Sequence, residues 1–205
     1  MFIVLEGPDG SGKSTQTRLL VDSLRAAGKT VVQTREPGGT PAAEAIRNLV
    51  LSPDFTGLDS RTEALLFAGA RAEHVANVIL PALQRGEVVV CDRYIDSSIA
   101  YQGIGRDLGV DRIRNLSLWA TGDLVPDLTI VLDMDATLGL TRVGNDLDRL
   151  EQEPQGFHDR VRKAFVELAL HAPERYRVVN AVGSIEEVSA RINTAVEEFV
   201  AGRSA

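Results

Sequence analysis

Gly7-Pro8-Asp9-Gly10-Ser11-Gly12-Lys13-Ser14, with Phe2-Ile3-Val4-Leu5 before it and Thr15 to Ala27 after it, is the stretch that decides the fold. Its spacing is G-x-x-x-x-G-K-S/T. The leading apolar run reads as a buried strand, and Leu19, Leu20 and Leu24 recur at helical spacing behind the turn. Strand, glycine turn and helix N-terminus therefore follow in order. Such a turn lets consecutive backbone N–H groups converge on an anion, the helix dipole adds positive potential, and Lys13 adds a full charge. Ser14 is placed to ligate magnesium. A glycine-rich turn with a solvated lysine is the plainer alternative, but motif and context together favour a nucleotide phosphate site.

The chain has 205 residues, 44% hydrophobic and 25% charged, which is the make-up of a soluble globular protein with a sizeable core. One domain over residues 1–205 is expected. Met1 leads straight into the first strand, and no stretch approaches the roughly 18 apolar residues that cross a bilayer. A cytoplasmic protein without a membrane partner is the expectation. The single cysteine, Cys91, ends the run Val88-Val89-Val90-Cys91 and reads as a small buried hydrophobe, which excludes an intrachain disulfide and a multi-cysteine zinc site. A formal charge of -7 disfavours a nucleic-acid surface, yet a cleft can still concentrate Arg35, Arg47, Arg71, Arg93 or Arg106 on a small anion.

Five apolar runs, Phe2 to Leu5, Thr30 to Thr34, Glu87 to Cys91, Leu128 to Asp133 and Arg177 to Val179, alternate with helical patterns. That alternation predicts a five-stranded parallel sheet in a three-layer α/β domain with helices on both faces. Helical patterns cover Pro41 to Leu51, Ser60 to Leu83, part of a helix at Asn115 to Ala120, Phe157 to His171 and Ile185 to Val200. Val143-Gly144-Asn145-Asp146 interrupts helical character between Thr137 and Gln152, and Gly202 to Ala205 read as a frayed tail. Ligands of open α/β sheets bind beyond the carboxyl ends of the strands, so the residues just after each strand are the candidates.

After the second strand, Arg35 either faces the cleft or forms an exposed ion pair beside the turn Pro37-Gly38-Gly39, and Arg47 shares the ambiguity. Phe67 and Arg71 are one helical turn apart. They suit base stacking beside a guanidinium fork, or a core phenylalanine beside a surface arginine. Asp92 and Arg93 close the third strand, where the carboxylate can hold a magnesium-bound water and the arginine can grip phosphate. Ser97, Ser98, Tyr101 and Gln102 can line a polar wall. Asp133 and Asp135 are read as a strand end and a helix N-cap, and His74, His158 and His171 as packed or solvated. Trp119 is expected to pack.

With these residues in view, the chain resembles the bacterial-type thymidylate kinases nearly end to end. The matching blocks are Gly7 to Thr15, Thr34 to Thr40, Leu66 to Arg71, Asp92-Arg93 with Ser97 to Gly103, Pro126 to Thr129, and Asp148-Arg149-Leu150-Glu151. The resemblance implies a P-loop nucleoside monophosphate kinase fold with a mobile lid at about 142–151, a homodimer, and Mg2+-dependent transfer of the γ-phosphoryl group of ATP to dTMP. It places ATP on Gly7, Pro8, Asp9, Gly10, Ser11, Gly12, Lys13, Ser14, Thr15 and Arg142. It assigns Phe67 to thymine stacking, Arg71 to a base carbonyl, Ser98 and Gln102 to the base edge, Tyr101 to the deoxyribose, and Asp9 to the 3′-hydroxyl. Arg35, Arg47 and Arg93 would hold the monophosphate. One departure stands out: relatives with glycine at the position of Gly10 carry several basic residues in the lid, whereas residues 142–149 here contain only Arg142 and Arg149. Arg142 is then expected over adenine and Arg149 as the lid cation beside the catalytic Lys13, Asp92 and Arg93.

Overall fold

A computed structural model describes residues 1–142, 144 and 147–203. Five parallel strands, β1 (Phe2–Glu6), β2 (Val31–Arg35), β3 (Val88–Asp92), β4 (Leu128–Asp133) and β5 (Tyr176–Asn180), lie in the order β2-β3-β1-β4-β5. Each strand lies within one or two residues of its expected run. β1 is central, with Ile3 opposite Val90 on one side and Leu128 on the other. It is buried along its whole length, which is why it reads as an unbroken apolar run.

Alternate residues face opposite layers, because strand side chains repeat every two residues. Ile3, Leu5, Val90, Ile130 and Leu132 pack on Leu20 and Val21 of α1 (Lys13–Ala26) and on Val188, Ile192, Val196 and Phe199 of α9 (Ile185–Arg203). Phe2, Val4, Val89 and Cys91 face the other way onto Ile79, Ile99 and Ile113. Val131 joins a third cluster with Tyr101, Phe157, Val161 and Phe165. Each such burial stabilises by about 1.5–3 kcal/mol.

The crossover between β2 and β3 contains α2 (Pro41–Leu51), capped by the Thr40 side chain, and α3 (Ser60–His74), capped by Asp59. α3 runs on through a π-helical stretch, Val75–Ile79, into α4 (Leu80–Gln84), so the expected helix from Ser60 to Leu83 is one rod with a widened turn. α5 (Ile95–Ser98) widens in the same way over Ile99–Gly105, followed by α6 (Val110–Thr121), α7 (Ala136–Leu140) and α8 (Gln155–Leu170).

The expectation that Trp119 packs is corrected: it is 83% exposed on α6, whose buried stripe is Ile113, Ser117 and Thr121. Trp119 is two residues beyond Ser117 and so falls on a different face. Cys91 is buried and free. Val143, Asn145 and Asp146, within the expected lid and its helix interruption, and Ser204 and Ala205 of the expected tail lie outside the described residues.

Candidate active site

Four of the five strands deliver residues from their carboxyl ends to one cavity of about 530 Å³. β1 supplies the phosphate loop, β2 supplies Arg35, Glu36 and Pro37, β3 supplies Asp92 and Arg93, and the turn after β5 supplies Gly183, Ser184 and Ile185. The turn at 183–185 carries no motif of its own, and its place beyond the carboxyl end of β5 is the signal in the sequence that points to it.

Gly12 adopts a left-handed conformation (φ 87°) immediately before α1, which opens the helix N-terminus to the cavity. Gly10 is crowded: a Cβ there would collide with the backbone carbonyl of Gly139, so α7 packs directly on the loop. Lys13 donates from Nζ to the Pro8 carbonyl at 2.7 Å and to Ser11 Oγ at 3.4 Å. Burial, together with the nearby Arg93 charge, brings the Lys13 amine down to about 8. The Ser14 hydroxyl donates to Asp92 Oδ2 at 2.6 Å, so the two expected metal-binding residues are adjacent.

Arg93 lines the cavity with φ at 70°, a backbone conformation that non-glycine residues seldom adopt. Its guanidinium donates to the Gly7 carbonyl at 3.1 Å, to Ser97 Oγ at 3.0 Å and to Tyr101 Oη at 3.2 Å, and it pairs with Asp9. Burial opposes its charge, but Tyr101, Asp9, Asp92 and Glu6 outweigh that and keep its pKa above the ordinary arginine value. Asp9 also accepts from the Tyr101 hydroxyl at 2.6 Å; burial would raise its pKa, yet Arg93 and Lys13 bring it down. Glu6 supports this arrangement from within β1. This buried carboxylate accepts from the backbone N–H of Tyr94 at 2.8 Å and of Ser97 at 3.1 Å, and from Ser97 Oγ at 2.6 Å, and so supports the turn that carries Arg93. Burial, then repulsion from Asp96, raises its pKa. A single carboxylate inside a strand has no local signature, because its partners lie about ninety positions away.

Phe67 and Arg71 lie on the α3 face that lines the cavity. Arg71 is 2% exposed, so the alternative of a surface arginine is set aside. Its guanidinium donates to Glu36 Oε2 at 2.6 Å, Ser98 Oγ at 3.1 Å, Ser117 Oγ at 3.2 Å and the Tyr94 carbonyl at 2.9 Å. Arg35 pairs with Glu44 at 2.9 Å, and Arg47 donates to the Pro37 carbonyl at 3.0 Å. Burial, then the nearby Arg35 charge, lowers the Arg47 pKa. Ser98, Tyr101, Gln102 and Arg142 also line the cavity, and Thr15 does so at its phosphate end.

Arg149, expected as the lid cation, does not line the cavity in this structure. Its side chain is 4% exposed, donates to Glu63 Oε2 at 2.6 Å and to the Val50 carbonyl at 2.9 Å, and anchors the C-terminal end of the expected lid segment. A buried carboxylate on α3 draws the guanidinium inward, and that partner is 86 positions away in sequence. Its neighbours Asp148, Leu150 and Glu151 do line the cavity.

Asp135 caps α7 by accepting from the Thr137 and Leu138 N–H groups, and Asp133 pairs with Arg162 at 2.8 Å, so both carboxylates are occupied structurally. His74 and His158 are buried; His74 lies between Thr34 Oγ1 at 2.6 Å and Glu36 at 3.3 Å, while His171 is exposed.

The family model for thymidylate kinase matches residues 5–192. The chain is 49% identical to the thymidylate kinase of Pseudomonas syringae pv. tomato over 202 residues, covering 98% of this chain and 96% of that protein. It is 51% identical to the thymidylate kinase of Bifidobacterium longum strain DJO10A, covering 97% and 98%. Among solved structures, the thymidylate kinase of Ehrlichia chaffeensis superposes with a TM-score of 0.81 at 36% identity, covering 96% of this chain and 98% of that one. A sheet that gathers a phosphate loop, a strand-end Asp-Arg pair and an aromatic–arginine helix face around one cavity, in a chain with these relatives, belongs to the thymidylate kinase family.

Proposed function

We propose that the chain transfers the γ-phosphoryl group of ATP to dTMP, giving dTDP and ADP, as a homodimer in the cytoplasm. The observation that carries this reading is that the Lys13 loop and the Phe67–Arg71 face line one cavity, with Arg93 bonded both to the loop at Gly7 and Asp9 and to Ser97, the neighbour of Arg71's partner Ser98. A donor phosphate at one end and an acceptor phosphate near Arg93 would approach in line, so catalysis needs positioning and charge neutralisation rather than a nucleophilic side chain.

Lys13 and the loop N–H groups hold the donor phosphates, while Arg35, Arg47 and Arg93 hold the acceptor phosphate. Phe67 stacks on the pyrimidine, and Arg71, Ser98 and Gln102 read its edge. Tyr101 covers the sugar face where a ribose 2′-hydroxyl would project, and Asp9 takes the 3′-hydroxyl. With Arg149 buried under Glu63, Arg142 is the basic residue left to the lid for the donor nucleotide. Magnesium suits the donor set, since the Ser14 hydroxyl and the Asp92 carboxylate are hard oxygen groups side by side at the phosphate end. Ser14 would bind the ion directly and Asp92 through water. When bound, it neutralises charge on the ATP phosphates.

Exposed Leu65 (60%) and Trp119 (83%) support the dimer, because they lie on α3 and α6, which join through the Arg71–Ser117 hydrogen bond. Among the described residues no helix is long and apolar enough to cross a membrane. Incubating purified protein with ATP and Mg2+ plus dTMP, dUMP, dCMP, UMP or thymidine in turn tests the reading. Rapid dTDP formation is expected. ADP release without a phosphorylated acceptor, or preference for another acceptor, would refute it.

A further inference from the structure

Glu63 is on α3, one turn before Phe67 and two before Arg71, and its side chain is fully buried. It does not line the cavity, whereas Gln102 does. Glu63 Oε1 accepts from Gln102 Nε2 at 2.8 Å and from Arg106 Nε at 3.3 Å. Oε2 accepts from Arg149 Nη1 at 2.6 Å and from Arg106 Nη2 at 3.2 Å. A carboxylate held between two guanidiniums only accepts hydrogen bonds. Gln102 must therefore turn its NH2 group toward Glu63, and its carbonyl Oε1, which no described residue engages, is the group left for the cavity.

This geometry sets a hydrogen-bond acceptor in the cavity that the donor-only fork of Arg71 also lines, and Ser98, which accepts from Arg71 Nη1 at 3.1 Å, lies four residues before Gln102. Thymine and uracil carry an N3–H donor beside a C4 carbonyl acceptor, which matches that pair. Cytosine carries the reverse, a bare N3 beside a 4-amino group, and would leave buried polar groups unpaired. We propose that Glu63 is a positioning residue for base selectivity: by fixing the Gln102 amide it presents an acceptor to the pyrimidine N3 position, admitting bases with N3–H and refusing those without. The inference rests on the reading that Gln102 faces the base edge.

Glu63→Gln keeps the shape and tests the polarity. Arg149 and Arg106 retain the one remaining oxygen, so the new NH2 group faces Gln102, which must answer with its carbonyl and turn its own NH2 group to the cavity. Expected is a fall in kcat/KM for dTMP by about tenfold or more with a rise for dCMP, expressed mainly in KM. Arg106→Gln removes a partner of Glu63 but leaves the Gln102 bond, so it should lower thermal stability and keep the dTMP-to-dCMP ratio. Equal losses on both substrates in Glu63→Gln would mean a packing role and overturn the proposal. A ratio unchanged in Glu63→Gln but lost in Gln102→Ala would overturn Glu63's part alone, and one unchanged in both would remove Gln102 from the base edge. If Glu63→Gln does not fold, 15N spectra of the wild-type chain decide. Gln102 side-chain N–H signals should exchange slowly and barely move when dTMP is added, and a large shift on binding would show the NH2 group facing the base and defeat the idea.

Discussion

Lys13 and Arg71 show how burial turns a charged side chain into a site. Lys13 is 7% exposed, and desolvation lowers its pKa to about 8 from the usual 10.5. Between those values the unfolded chain holds a proton that the folded chain has released, so this residue's penalty is full below pH 8 and is relieved as pH rises through the window. Function runs the opposite way, because the phosphates need the charged amine. The kcat/KM for ATP should fall as pH rises through about 8, and a profile flat to pH 10 would contradict the assignment. Lys13→Met should lower turnover by about 10²- to 10³-fold while the melting temperature of the free protein holds or rises, as checked by thermal scanning beside steady-state assays. Arg71 is different: Glu36, 5% exposed, depends on it. Arg71→Leu should therefore weaken dTMP binding and also cost about 3–5 kcal/mol in denaturant unfolding, since it strands a buried carboxylate. Loss of dTMP affinity with no loss of stability would mean that Glu36 finds another partner.

The elements matter through where they end. α1 begins at the cavity because the phosphate loop turns sharply, and α7 closes on that loop through Gly10 and Gly139. Gly10→Ala should be poorly tolerated, because its Cβ would meet backbone and the residue adopts φ at 73°. Adding that methyl should displace α7, lower the melting temperature and raise KM for ATP more than for dTMP. Equal KM effects would mean that α7 serves both nucleotides. The widened π-helical turn over Ile99–Gly105 has a comparable role, because it carries Tyr101 to Asp9 and Gln102 to Glu63 from adjacent positions.

Across the whole molecule, a chain of formal charge -7 gathers Lys13, Arg35, Arg47, Arg71, Arg93 and Arg142 around one cavity. Exposed Trp119 and Leu65 are the apolar surface that the proposed dimer would cover. Trp119→Glu should shift the protein to monomer in sedimentation with its circular dichroism unchanged, and an unaltered sedimentation coefficient would place the interface elsewhere. The sequence by itself determined the sheet, the phosphate loop and the strand-end candidates, because apolar periodicity, glycine spacing and helix caps are set by residues within a few positions of one another. Only the tertiary structure decided that Arg149 pairs with Glu63, that Trp119 faces outward, that Glu6 supports the Arg93 turn and that the β5–α9 turn lines the cavity. The physical reason is that a long charged or aromatic side chain goes to whichever partner the fold brings near. Those partners lie some ninety positions away for Arg149 and Glu6, beyond any local pattern.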